Sequence, residues 1–159
     1  MLQTTLDAFP DINAEHGASD EMFLVFSIAD QGYALDISYV TEIIEMLPIF
    51  PIPNMPACLK GVINLRGVVV PVMDIRLRFG LEQKEYNERT CIVVVEMEGI
   101  SLGMIVDSVQ EVMTIRPEDR LLPPSGNTDP AARYIQHISP QGEQVLLLLC
   151  CEKLMDIAP

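Results

Sequence analysis

The sequence predicts an all-β protein of the barrel or sandwich type, with helix confined to short turns. Turn signals recur about every 8–12 residues between short apolar runs, the spacing of small β-barrels and sandwiches. Helical periodicity is nowhere sustained, and Val, Ile and Leu dominate while aromatics make up only 6% of the chain. With 159 residues and a hydrophobic fraction of 49%, the chain has ample material for a core, in one domain or in two small intertwined lobes. The same numbers exclude disorder over the whole length.

The ordered body is expected over residues 21–157. Residues 1–20 carry Asp7, Asp11, Glu15 and Asp20 with no Lys or Arg and show no periodicity, so they read as a flexible acidic leader. Met22–Ile28 is the first apolar run, closed by Asp30-Gln31-Gly32, and residues 32–35 return as its hairpin partner. Asp36 is placed to cap a helical turn over 37–40, after which 41–47 reads as extended. Pro48, Pro51, Pro53 and Pro56 exclude helix between them and leave an irregular stretch or an edge strand. Residues 56–60 read as one helical turn with Gly61 just past its end. Residues 62–65 and 68–73 flank Arg66-Gly67 as a second hairpin, and Asp74 caps a short helix over 75–79 that ends at Gly80.

Residues 81–88 are charged and read as a surface loop. A third hairpin joins 90–97 to 100–107 across Glu98-Gly99, and strand continues through 108–115. Residues 116–130 are rich in Pro, Gly, Asn and Asp and read as loop. A fourth hairpin joins 133–139 to 143–151, and 153–157 closes as a helical turn. The segment Ile37-Ser-Tyr-Val-Thr-Glu-Ile43 is echoed by Val106-Asp-Ser-Val-Gln-Glu-Val112. Each copy comes after a hairpin and precedes a Pro-containing stretch and a further hairpin. That repeated organisation points to two similar small barrels rather than one large one.

Net charge is −13, which disfavours nucleic acid and anionic membrane surfaces as partners. The longest apolar run, residues 145–151, is too short to span a bilayer as a helix, which needs about 20 residues. The N-terminus lacks the basic start and apolar stretch of a secretory signal, so a cytoplasmic location is expected. Cys58, Cys91, Cys150 and Cys151 form no CxxC, and His16 and His137 add no zinc-ligand spacing, so neither metal nor cofactor is expected. Phosphate-binding and hydrolase motifs are missing from the sequence, and a lone His137 in a strand is a structural residue rather than a general base. No catalytic residue is expected. An enzyme using Cys91 or His137 is the rival reading from another class, separable by native thiol labelling.

Two segments stand out. Residues 60–76, KGVINLRGVVVPVMDIR, form an apolar hairpin with one cation, Arg66, at its tip. Gly67 beside it permits a tight bend, and Asn64 can bond its own backbone there. In VTEII, Glu42 interrupts an otherwise apolar strand. If the two hairpins share a barrel, Glu42 and Arg66 face each other near the surface, orienting the guanidinium for a partner.

These segments resemble the CheW family of chemotaxis coupling proteins. Residues 60–76 match the pattern KGVxNLRGxVxPVxDLR, with Ile75 where Leu is usual. Phe23, Tyr33, Ile37, Val40, Glu42 and Ile43 fill the family's opening pattern. Gly103, Val106, Asp107, Val109, Glu111 and Val112 fill GxxVDxVxEVxxI, and VLLLLCCEKLM resembles the closing IxILxxxKLL. The resemblance covers 21–157. It implies a pair of five-stranded SH3-like barrels around a shared core, binding the cytoplasmic tip of chemoreceptors and the regulatory domain of the histidine kinase CheA. It implies no catalysis, and a monomer that joins rings and arrays in complex. The receptor-facing surface is expected at Val40, Glu42, Ile43, Asn64, Arg66 and Gly67. The kinase-facing residues are not assigned. The alternatives are an adaptor of a parallel chemosensory system, such as one controlling pili, and a CheW-like regulatory domain of a kinase. The acidic leader favours a standalone adaptor, and the chain leaves no room for the receiver domain of CheV-like relatives.

Overall fold

Hairpins organise the chain, and their turns explain why. Strands β1 (Met22–Ile28) and β2 (Gln31–Asp36) are joined by Ala29-Asp30, both at positive φ, 53° and 66°. Arg66-Gly67, at 53° and 88°, joins β4 (Leu59–Leu65) to β5 (Val68–Asp74) in the same way. Glu98-Gly99, at 52° and 81°, joins β6 (Cys91–Met97) to β7 (Ile100–Val106). Positive φ at both central residues matches the twist of the flanking strands, which is why two-residue hairpin loops favour it. The remaining strands are β3 (Val40–Glu45), β8 (Ser108–Thr114), β9 (Ile135–Gln141) and β10 (Gln144–Leu149). The structure is a computed structural model and describes residues 21–126 and 128–157; the acidic leader lies outside the described residues.

Asp36 caps the single turn Ile37–Tyr39 by accepting from the Ser38 amide at 2.9 Å. Asp74 caps α1 (Ile75–Arg78) by accepting from the Arg76 amide, and Gly80 comes next at φ 78°. The closing helix α2 (Cys151–Met155) begins earlier than the sequence suggests, and β10 ends at Leu149. Cys150 therefore lies at the cap of α2 rather than in a strand. A second difference falls at residues 56–60. No helix forms there, and Gly61 sits inside β4 at φ 143°. Phe50 pairs with Val62 across the sheet edge, and a Cβ at position 61 would lie 2.3 Å from the Phe50 carbonyl oxygen. Glycine is needed there for the close approach of a second backbone.

The strands form two five-stranded sheets, ordered β8-β1-β2-β10-β9 (lobe 1) and β3-β6-β7-β5-β4 (lobe 2). The lobes are copies of one arrangement. In each, a hairpin (β1–β2 or β6–β7) receives an antiparallel strand on one side (β8 or β3) and a parallel strand on the other (β10 or β5). Each parallel strand leads into a short helix. The echoed segments lead into β3 and β8, the strands with which the chain passes from one lobe to the other. Lobe 2 is continuous, residues 40–106, and lobe 1 is assembled from the strands on either side of it in the chain.

Among the described residues three apolar clusters form the interior. Ile63, Val70, Val72 and Ile92 belong to the core of lobe 2, and Phe23, Val25, Leu146 and Leu148 to that of lobe 1. The largest cluster lies between the sheets and draws on both, with Leu24, Phe26 and Leu35 against Val93, Met104 and Val106. Tyr33, Phe79 and Tyr134 pack ring against ring through it, with centroids 5.1 and 5.6 Å apart, the first pair tilted and the second stacked. The expected shared core is present. The expected barrels are open: among the described residues, neither sheet pairs its two edge strands by backbone hydrogen bonds.

Candidate functional site

The tip of the β4–β5 hairpin is built by its own polar residues. Asn64 Oδ1 accepts from the Gly67 amide at 2.7 Å and locks the turn. A Cβ at Gly67 would meet nothing within 4 Å, so its φ of 88° rather than crowding favours glycine there. Arg66 then projects from the tip with its side chain 59% exposed. Its Nη2 donates to Glu42 Oε2 on β3. Strands β3 and β4 are the opposite edges of lobe 2, so this ion pair reaches from one edge to the turn that follows the other.

Glu42 reaches that position because β3 is irregular. Its register against β6 shifts between Val40 and Glu42, and the Thr41 hydroxyl donates to the Val94 carbonyl at 3.1 Å. Such a bulge bends a strand and re-aims its side chains. The Glu42 side chain is only 13% exposed, and its Oε1 is buried without a hydrogen-bond partner among the described residues. The guanidinium of Arg66 is thus held from one side by a mostly buried carboxylate and presented to solvent on the other.

Glu42, Asn64, Arg66 and Gly67 come together as the sequence suggested. Val40 and Ile43 do not share that surface: they are 6% and 0% exposed and belong to the core between the sheets. The bulge explains it, since it breaks the alternation that otherwise decides which strand residues face outward. Beside Arg66, Val68 and Val69 are 60% and 66% exposed. Ile100, the first residue of β7, is 65% exposed as well. Sequence reasoning missed this apolar shoulder because VVVPV reads as uniformly buried strand.

At the seam between the lobes lies a cleft of about 480 Å³, lined by Met46 after β3, Arg89 and Cys91 at the start of β6, and Ser108 and Val109 at the start of β8. A second unanticipated feature stiffens the junction. Arg76 donates from Nε and Nη2 to both carboxylate oxygens of Asp107, at 3.0 and 2.7 Å, and Asp107 also accepts from the Ala29 amide at 2.8 Å.

Chemistry finds little support in the geometry. Burial pushes the Cys91 thiol up to about 11 and the Cys151 thiol up to about 12, so both are poor nucleophiles near neutral pH. His137 is a half-buried residue of β9. Among the described residues no cluster of His, Cys, Asp or Glu is arranged to hold a metal ion, and no helix is long and apolar enough to cross a membrane.

A family model for the CheW-like domain matches residues 22–158. The chemotaxis protein CheW of Klebsiella aerogenes is 34% identical over 133 residues, covering 84% of this chain and 80% of that protein. The chemotaxis protein CheW of Treponema pallidum is 31% identical over 142 residues, covering 86% and 84%. The crystal structure of the scaffolding protein TtCheW from Thermoanaerobacter tengcongensis superposes with a TM-score of 0.75 at 33% identity, covering 82% of this chain and 88% of that one. With the family pattern running through both lobes and the same fold in a solved relative, this chain belongs to the CheW-like family of chemotaxis scaffold proteins.

Proposed function

We propose that this protein is a chemotaxis adaptor that couples the cytoplasmic tips of chemoreceptors to the regulatory domain of the histidine kinase CheA. It acts in the cytoplasm and catalyses no reaction. The observation that carries this reading is the guanidinium of Arg66, buttressed by Glu42 across the mouth of lobe 2 within a chain of the CheW-like family. The receptor-facing surface is formed by Glu42, Asn64, Arg66 and Gly67, with Val40 and Ile43 holding β3 behind it. The seam cleft at the other end of β3 offers Met46 and Val109 to an amphipathic helix, the usual way a groove reads a helical partner. The protein is a monomer alone. It is drawn into arrays by partners, where weak contacts gain strength through multivalency.

The test is co-sedimentation with receptor tips and kinase, together with receptor-dependent kinase activity. Arg66→Ala should weaken receptor coupling by about tenfold, the loss typical of truncating an anchoring arginine. It should leave the circular dichroism spectrum and the kinase's basal activity unchanged. A well-folded Arg66→Ala protein that couples receptor to kinase at wild-type strength refutes the assignment.

A further inference from the structure

The sheet of lobe 2 turns one face to the core between the lobes, and that face runs on past its cover. Val95 and Leu102 pair across β6 and β7, and both belong to that core. At the tip of the same hairpin Met97 pairs with Ile100, two residues along each strand. Strand side chains alternate, so this pair shares the face of Val95 and Leu102. Yet Ile100 is 65% exposed and Met97 is half-buried. Between the hairpin tip and α2 lies a groove of about 310 Å³. Met97, Ile100 and Met155 give it apolar lining. Its charged lining is Glu98, Glu152 and Asp156 with a single cation, Lys153. Among the described residues none of these four charged side chains joins an ion pair. Arg78 reaches the end of α2, but it is engaged there by the carbonyls of Lys153, Leu154 and Asp156.

We propose that this groove binds a short segment of a partner protein in which one large apolar side chain is flanked by lysine or arginine. Three carboxylates against one ammonium favour a cationic occupant, and the chain's net charge of −13 draws such a segment in from a distance. Methionine is flexible and carries a polarisable sulfur, so a lining with two of them adapts to the side chain it receives. The small volume suits an anchoring side chain rather than the length of a helix. The groove and the seam cleft stand at opposite ends of β6. Cys91 lines the cleft and Met97 the groove, roughly 20 Å apart along the strand. Both sites can therefore be filled at once, and the inference is independent of receptor coupling.

The probe is the peptide KKLFKK, capped at both ends, with KKSSKK and EELFEE as comparators. The intact protein is labelled at its methionine methyls for NMR and titrated in about 0.15 M salt, where the Debye length of about 8 Å leaves only close charges effective. The Met97 and Met155 methyl signals should shift saturably with KKLFKK, while Met46 in the seam cleft stays in place. Neither comparator should reproduce this. Ile100→Ser, at an exposed position, should weaken binding about tenfold. Glu98→Gln combined with Glu152→Gln should weaken it about threefold. Unmoved Met97 and Met155 signals, an equal response to either comparator, or a Met46 shift as large as that of Met97 would each overturn the proposal. These readings come from the unaltered protein and stand whether or not a variant folds. A folded Ile100→Ser protein that binds KKLFKK at full strength overturns it as well.

Discussion

Arg66 and Arg76 show how neighbours divide one residue type between two tasks. Arg66 is exposed and holds one carboxylate oxygen; Arg76 is 14% exposed and holds both oxygens of Asp107. For Asp107, burial works to raise the carboxyl pKa, but the Arg76 hydrogen bonds and the Ala29 amide outweigh it, and the group titrates below the usual carboxylate range. A depressed folded pKa means that the unfolded chain binds the proton more readily in acid. The associated stability is therefore complete above about pH 4, the unfolded value, and is lost as pH falls through the lower folded value. Asp107→Asn should destabilise the protein at neutral pH, and its deficit relative to wild type should shrink towards pH 3 in urea denaturation. A deficit of equal size at both pH values would contradict the pairing. The sequence showed the Arg66 pairing because a charge interrupting an apolar strand and a cation at a turn both stand out. The Arg76–Asp107 pair joins residues far apart in sequence that both carry plausible local roles, and no periodicity marks it.

At the scale of single elements, hairpins were the most legible features, since apolar runs around Gly-containing turns leave few alternatives. The Pro-rich stretch was legible only as non-helical; its one bridge to β4 depends on which strand edge it meets. Gly61 was misread as a helix stop for the same reason, because what requires it is the Phe50 carbonyl, eleven residues earlier. Gly61→Ala should force that carbonyl away and strain a residue at φ 143°. A cost of about 1–3 kcal/mol is expected from chemical denaturation. The Val62 amide, which donates to Phe50 at 3.0 Å, should lose its protection from hydrogen exchange. Unchanged stability and exchange would mean that the linker is not held against β4. The surface roles given to Val40 and Ile43 failed at this scale too, since a bulge at Thr41 inverts strand parity and leaves no mark in composition.

For the whole molecule, the echoed segments disclosed two similar lobes but not their nesting, which is a matter of which strand pairs with which over long separations. The lobes also grip one another: Arg78 at the end of α1 donates from Nη2 to the carbonyls of Lys153 and Leu154 in α2, and its guanidinium lies 5.0 Å from the Tyr134 ring. Nesting has a consequence on the ribosome. The hairpin β1–β2 precedes lobe 2 in the chain, yet its flanking partners β8 and β10 follow that lobe, so both its outer edges must wait unpaired while the interior lobe assembles from contiguous chain. Loop closure favours near neighbours over distant ones. Pulse-labelled hydrogen exchange during refolding should therefore find β6 and β7 amides protected before those linking β2 to β10, and simultaneous protection would argue against it. A nascent chain of which residues up to Val106 have cleared the ribosome would thus carry one finished lobe and one exposed, half-built ribbon, which makes the interval between the emergence of Val106 and that of Leu149 the period of greatest exposure to aggregation.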